Sequence, residues 1–349
     1  MGWSTTLDLD RFLTEAGSYL SSRAAENMLL LTAAQAAGDA HHDEARHGGL
    51  HLFSRRGGAH AKQAPGRDVQ VADPGPLFGW WEPPDGGGAR GAFLHDPAEP
   101  LLIAGRAPET AASLAATLAR AGRSVCGVDA SAAAADAFAA AWSQRAGVAT
   151  RVHQHSLVYR LAKELAAVPA QAPGAAVAPG AAGASRAAQT GPGLAGRLRT
   201  ADEADRPLLV KWLTAFAAEV GELTGSSEAA ADELLGYGGA VFWEAGGEPV
   251  AMAAVTRPVM RTVRIAKMYT PPEHRHNGYA VAVTLGVSHA ELARRANEVV
   301  IITDSNRPHR QAAQLGYELV GERAVLRFGP PTGAIPRLPT GPLPRLRSR

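Results

Sequence analysis

The stretch Thr262-Val263-Arg264-Ile265-Ala266-Lys267-Met268-Tyr269-Thr270 is rich in β-branched and apolar residues and reads as a strand. Pro271-Pro272-Glu273-His274-Arg275-His276-Asn277-Gly278-Tyr279-Ala280 follows, and then a segment with helical apolar periodicity from Val281 to Arg295. A strand, a short loop carrying Arg and Gly, and a helix start together make an anion cradle. Loop N–H groups point inward, and the helix dipole adds roughly half a positive charge. Gly278 has no Cβ, so backbone can approach a phosphate closely, and Arg275 can add charge-assisted hydrogen bonds. This α/β unit constrains the rest of the chain.

With 349 residues the chain suits two domains. Its net charge of +2 is near balance, which argues against a dedicated nucleic-acid binder. One cysteine, Cys126, excludes an intramolecular disulfide framework and any multi-cysteine metal site. It lies in Arg123–Val128, which reads as a short strand, and is expected to be a small buried hydrophobe. No apolar run approaches the ~20 residues needed to span a bilayer. Met1-Gly2-Trp3-Ser4-Thr5-Thr6 lacks a signal-peptide core and matches only the short, common myristoylation pattern. A cytoplasmic protein, monomeric or homodimeric and without a membrane partner, is the expectation.

Residues 166–196 are Ala/Pro/Gly-rich and read as a linker. The Pro-rich tail, 330–349, carries Arg337, Arg345, Arg347 and Arg349 and no acids, and reads as a solvated tail. Residues 197–329 form one domain. Leu194–Thr200 is a candidate strand, with Thr200 as N-cap and Glu203 at N3 of a capping box. Leu208, Leu209, Trp212, Leu213 and Phe216 share the apolar face of the following helix. Ala240–Ala245 and Val250–Arg257 read as strands about a Gly246-Gly247 turn. Gly278–Arg295 is a helix, Val299–Thr303 a strand, Arg307–Leu315 a short helix and Arg323–Phe328 a last strand. Residues 1–165 repeat this order. A Leu77–Trp81 and Arg90–His95 hairpin is followed by strand Leu101–Ala104, helix Glu109–Ala121, strand Ser124–Val128, helix Ala132–Arg145 and strand Val152–Arg160. We infer a diverged internal duplication. Its counterpart loop, Gly105-Arg106-Ala107-Pro108-Glu109-Thr110, has a proline that removes a donor and a glutamate that repels phosphate, so this half has lost any such ligand.

Arg275-His276-Asn277-Gly278-Tyr279-Ala280 fits the Arg/Gln-x-x-Gly-x-Gly/Ala loop of the GNAT superfamily of acyl-CoA-dependent N-acetyltransferases. The preceding Tyr269-Thr270-Pro271-Pro272-Glu273, the long helix and the later Thr303-Asp304 and Gly316-Tyr317 stand in that family's order as well. The chain resembles bacterial tandem GNAT proteins whose first half is degenerate. The resemblance implies two tandem α/β (α+β) domains, each a mixed, mostly antiparallel twisted sheet flanked by helices. It implies acetyl-CoA as co-substrate, a primary amine of a small molecule or protein as acceptor, and no metal. By that analogy backbone from Arg275 through His276, Asn277, Gly278 and Tyr279 to Ala280 holds the pyrophosphate. Met268, Tyr269 and Thr270 lie along the pantetheine arm, and Asn306, His309 and Arg310 also contact CoA.

The implied reaction is direct attack by the amine in a ternary complex, with a general base. Glu219 and Glu222, three apart on one helix face, are candidates, as is Glu244 on the strand before the Gly-Gly turn. Glu273, beside the loop, reads as structural. Many relatives carry a tyrosine acid in the helix after the fifth strand. Counting back from Gly316-Tyr317, that position is Ala312, so solvent, His309 or Tyr269 would have to protonate the thiolate. A non-catalytic acyl-CoA-binding or interaction protein is the alternative.

Other signals carry less. His41-His42-Asp43-Glu44, His47 and His51 match no metal-site spacing and read as a solvated loop. Gly86-Gly87-Gly88-Ala89-Arg90-Gly91 satisfies a dinucleotide glycine pattern but falls inside the hairpin. Trp80, Trp81 and Trp243 read as core.

Overall fold

The computed structural model describes residues 2–46, 75–163, 195–221, 226–294, 296–305 and 312–331. The 166–196 linker, apart from residues 195 and 196, and nearly all of the 330–349 tail lie outside them, as do Glu222, Asn306, His309 and Arg310. The first half runs β1 (Trp3–Thr6), α1 (Leu9–Ser22), α2 (Ala24–Arg46), β2 (Leu77–Trp81), β3 (Gly91–His95), β4 (Leu101–Ala104), α3 (Pro108–Arg120), β5 (Gly127–Ser131), α4 (Ala132–Ala146) and β6 (Val148–Ala162). The second runs β7 (Arg197–Thr200), α5 (Arg206–Val220), α6 (Ser227–Tyr237), β8 (Ala240–Ala245), β9 (Glu248–Val255), β10 (Thr262–Tyr269), α7 (Tyr279–Arg294), β11 (Glu298–Asp304) and β12 (Glu318–Pro331).

All twelve strands join one sheet, in the order β1-β2-β3-β4-β5-β12-β6-β11-β10-β9-β8-β7. Neighbours are antiparallel except β4–β5 and β10–β11, the two pairs joined through a helix, as a parallel crossover requires. Each half supplies five strands in sequence and then gives its last strand to the other. β12 lies against β5, β6 lies against β11, and β6 and β12 pair along the seam from Glu318↔Arg160 to Pro331↔Val148. The mixed, mostly antiparallel sheet flanked by helices is as the sequence implied, and the exchange is what fuses the halves.

Two contacts pin the exchange. Arg160 on β6 donates to Glu298 and to Glu318, each at 3.1 Å, so one guanidinium ties β6 to both of its neighbours. Arg323 on β12, 8% exposed, donates to the Asp129 carboxylate on β5 and to the Glu26 carbonyl on α2. Removing one partner of such a buried pair leaves an uncompensated charge.

Helices cover both faces of each half. α3 and α4 bury Leu114, Leu118, Phe138 and Trp142 on one face of the first half, while α1 and α2 bury Phe12, Leu20 and Leu31 on the other. In the second half α7 buries Val283, Val287 and Leu292, and α5 and α6 bury Leu209, Trp212, Leu213 and Leu234 opposite. Leu208 and Phe216 pack against that layer only in part.

Several local readings shift. The capping box is Asp202 with Asp205 rather than Thr200 with Glu203, because Thr200 is still in β7 and the turn starts at Glu203. β5 begins at Gly127, so Cys126 precedes the strand; it is half-buried, and Arg327 approaches its sulfur at 3.6 Å. His41, His42, Asp43 and Glu44 fall on α2, not in a loop, while His47 and His51 lie outside the described residues. Trp80 and Trp243 are core, while Trp81 is half-buried. Ala313–Leu315 is a single 3₁₀ turn, and the rest of the predicted short helix is mostly undescribed.

Candidate functional site

β10 and β11 pair from Thr262↔Glu298 to Ile265↔Ile301 and then part. Each stays with its outer neighbour: β10 follows β9 to Tyr269↔Met252, and β11 follows β6 to Asp304↔Ser156. A wedge therefore opens between residues 266–269 and 302–304. The pairing register of β10 on β9 shifts between Ile265 and Lys267, a bulge at Ala266 that turns the strand end away. Parted strands present unpaired N–H and C=O groups to the gap, the edge an extended ligand can join. Among the described residues two hydroxyls beside it find no partner: Thr270 Oγ1 and Thr303 Oγ1 are both buried atoms. Buried polar groups are seldom left so.

At the top of the wedge lies the loop. Pro272–His274 forms a 3₁₀ turn, closed by the His274 N–H on the Pro271 carbonyl at 2.9 Å. His276 has φ +65° and Gly278 has φ +80°, two left-handed residues within three positions. Such alternation turns successive N–H groups to one side. Asn277 Nδ2 donates to the carbonyls of His274 and Arg275 at 3.2 and 3.3 Å, which holds the loop's carbonyls on the far side. α7 starts at Tyr279, and its first intrahelical-type bond is from the Ala282 N–H to the Gly278 carbonyl at 3.0 Å. Among the described residues the N–H groups of 276–281 find no acceptor. The 276–280 stretch expected to hold a pyrophosphate is thus a run of unpaired donors at a helix start.

Arg275 is engaged. Its Nε donates to the Thr270 carbonyl at 3.0 Å, its Nη2 reaches the Glu219 carboxylate, and its guanidinium lies 5.9 Å from the Tyr269 ring centroid. One of the candidate bases and the candidate phosphate ligand therefore neutralise each other at the mouth. Tyr269 is 8% exposed and packs its ring against Trp212; burial pushes its phenol up, Glu219 adds to that, and Arg275 opposes it. The phenol stays protonated throughout neutral pH. Met268 faces α7 instead, where Thr284 donates to its sulfur at 3.1 Å.

Glu244 is elsewhere. It is 7% exposed on β8 and accepts from Arg197 at 2.7 Å and from Arg199, which also holds Asp205. Burial pushes its carboxyl up, but the Arg199 and Arg197 hydrogen bonds outweigh this and hold it below the usual range. Glu244 thereby clamps β7 to β8. Ala312 is fully buried in the α7 core, and the Tyr317 N–H bonds back to its carbonyl at 2.9 Å. Tyr317 is buried too, its hydroxyl 2.7 Å from Ser288 Oγ; burial raises its phenol well above the usual range, and the Ser288 hydrogen bond lowers it in part.

Two cavities beside α6 complete the region. One of about 220 Å³ reaches the β10 bulge at Ala266 and Lys267; another of about 310 Å³ opens toward α2. Glu233 and Tyr237 line both. Sequence reading passed over this pair, although their spacing of four on a helix already set them on one face.

No protein-family model matches the chain, and no curated protein matches it. Solved structures do. A Drosophila protein solved by X-ray crystallography aligns over 95% of this chain and 99% of its own, at 11% identity and a TM-score of 0.55. A GNAT-family acetyltransferase from Colwellia psychrerythraea aligns over 72% of this chain and 84% of its own, at 13% identity and a TM-score of 0.44. A tandem GNAT protein from the clavulanic acid biosynthesis pathway aligns over 74% and 84%, at 18% identity and a TM-score of 0.38. At 11% identity the likeness to the Drosophila protein is one of fold. Among the described residues no helix is long and apolar enough to cross a membrane.

Proposed function

We propose that the chain binds acetyl-CoA in its second half and transfers the acetyl group to a primary amine. The observation that carries this is the parting of β10 from β11 directly below a run of unpaired N–H groups at 276–281. A pyrophosphate suits those donors and the start of α7. The pantetheine arm suits the wedge, where Thr270 Oγ1 and Thr303 Oγ1 offer hydrogen bonds to its amides. The thioester then lies at the bulge.

In the transfer the neutral amine nitrogen attacks the acetyl carbon. The C–S bond breaks, the thiolate leaves with the electron pair, and the nitrogen loses a proton. An amine has a pKa of about 10.4 in water, so entry to a desolvated cavity favours the attacking form. Unpaired N–H groups at the end of β10 stabilise the oxyanion. Tyr269, protonated and at the mouth, is the candidate acid for the thiolate in place of Ala312. A thiolate with a pKa near 8.5 leaves readily, so this assistance is modest. Glu219 acts as base only when Arg275 swings to phosphate and releases it.

The tied state of Glu219 and Glu244 and the buried Ala312 favour a second reading, acyl-CoA binding without turnover. Titration calorimetry with acetyl-CoA, followed by release of free thiol across a panel of amines, tests both. Saturable binding with amine-dependent thiol release supports the transferase. Binding without release on any amine supports the second reading, and no binding rejects both.

A further inference from the structure

The chain uses 31 arginines and four lysines, Lys62, Lys163, Lys211 and Lys267. Arginine is thus its ordinary cation, and it stays charged, whereas a lysine amine can act as a nucleophile. Lys163 and Lys211 are exposed to solvent, and Lys62 lies outside the described residues. Lys267 is placed differently. It stands two residues past Ile265↔Ile301, the last pair of β10 with β11, and directly after the bulge at Ala266. Beyond the bulge the strand alternates between faces. Met268 turns to α7, while Lys267 and Tyr269 turn to α5: Lys267 Nζ lies 5.8 Å from the Phe216 ring centroid, and Tyr269 packs on Trp212. Those two side chains are one strand period apart, about 7 Å. Lys267 also lines the 220 Å³ cavity beside Leu213, Ala217 and Leu234, and among that cavity's lining residues it carries the only amine. The other ionisable groups there, Glu233 and Tyr237, belong to α6, and Tyr237 donates its hydroxyl to the Val255 carbonyl at 2.8 Å.

In the acetyl-transfer reading the thioester lies at this bulge, with Tyr269 as the acid for its sulfur. A lysine one period along the same face is then beside the acyl carbon. Resting on that reading, we propose that Lys267 is itself an acceptor: the chain acetylates its own Lys267 from bound acetyl-CoA. The Lys267 nitrogen, its ammonium proton given up to solvent, attacks the acetyl carbon. An N–C bond forms, the C–S bond breaks with its electron pair on sulfur, and the proton the nitrogen then sheds ends on the thiol. The products are Nε-acetyllysine and free CoA. The acetyl group is left in the cavity beside α5 and α6, and the amide has lost the charge that held Nζ against Phe216. Self-acetylation therefore competes with transfer to any amine that enters the same cavity.

The full chain is incubated with acetyl-CoA at neutral pH, and acetylation of each lysine is followed in time by peptide mass spectrometry at several protein concentrations. Exposed Lys163 and Lys211 report the uncatalysed reaction in the same sample. Lys267 should be acetylated at least roughly tenfold faster than either, a small part of what proximity can supply, and at a rate independent of protein concentration. In urea that unfolds the chain the preference should vanish. Lys267→Arg keeps the cation; it should bind acetyl-CoA in calorimetry, which reports that it is folded, and take up acetyl groups only at the rate of the exposed lysines. Three results overturn the proposal: a Lys267 that reacts no faster than Lys211 while calorimetry shows acetyl-CoA bound, a preference that survives urea, or a rate that grows with protein concentration, the sign of transfer between chains. If acetyl-CoA itself fails to bind wild type, the acetyl-transfer reading falls instead.

Discussion

Gly278 is the position where the loop's geometry and its proposed ligand meet most directly. Its φ of +80° is left-handed, and it is the last residue before α7. An L side chain in that region costs about 1–2 kcal/mol. In Gly278→Ala the free loop relaxes to relieve that strain, and its N–H groups turn out of line. Binding a pyrophosphate has to restore the strained geometry, so the same energy is taken from affinity: a loss of about five- to thirtyfold. Gly147, the αL cap of α4, is the matched control, with φ +66° and no atom within 4 Å of an added Cβ. Gly147→Ala carries the same strain far from the loop and should lower the melting temperature without changing affinity. Calorimetry with acetyl-CoA on both variants, after thermal melts show each folded, is the assay. A folded Gly278→Ala that binds within twofold of wild type would refute the reasoning.

Three further outcomes follow from the same geometry. Glu219→Gln releases Arg275 from an ion pair whose side chains are 38% and 45% exposed, so acetyl-CoA should bind about two- to fivefold tighter, in keeping with the small worth of exposed pairs; weaker binding in calorimetry would mean that the pair organises the site. Glu244→Ala should cost about 1–3 kcal/mol in urea unfolding and leave acetyl-CoA affinity unchanged, because it strips two arginines of their shared acceptor. The Glu244 carboxyl is held below its usual range, so its contribution is present above its unfolded value of about 4.3 and is lost as pH falls through the folded value; wild type and Glu244→Ala should therefore converge in stability on acidification, and a constant gap would contradict the assignment. Truncation after Tyr317 removes β12, exposing the edges of β5 and β6 together, and should abolish cooperative melting of both halves; a first half that still melts cooperatively would count against the strand exchange.

What was legible in the sequence was local. The loop announces itself because Pro271-Pro272 stops β10 and Gly278 supplies the left-handed step within a few residues of it. The hairpin strands and α7 follow from period alone. The capping box was misplaced by two positions because Thr200/Glu203 and Asp202/Asp205 share one spacing, and only the end of β7 decides between them. What was not legible was long-range. Nothing in Val148–Ala162 or Glu318–Pro331 states which neighbour each strand takes, since the same alternation satisfies either half. Glu219 and Arg275 are 56 residues apart, so each read as available for its own task until the fold closed them on one another.

The central claim is that acetyl-CoA enters between β10 and β11 with its pyrophosphate on the loop above. A crystal structure of the full chain grown with acetyl-CoA tests it at once. The account expects phosphate oxygens within hydrogen-bond distance of the backbone nitrogens of residues 276–281, the arm in the wedge, and the Arg275 guanidinium turned from Glu219 toward phosphate. Acetyl-CoA bound in the first half with that wedge closed would contradict it.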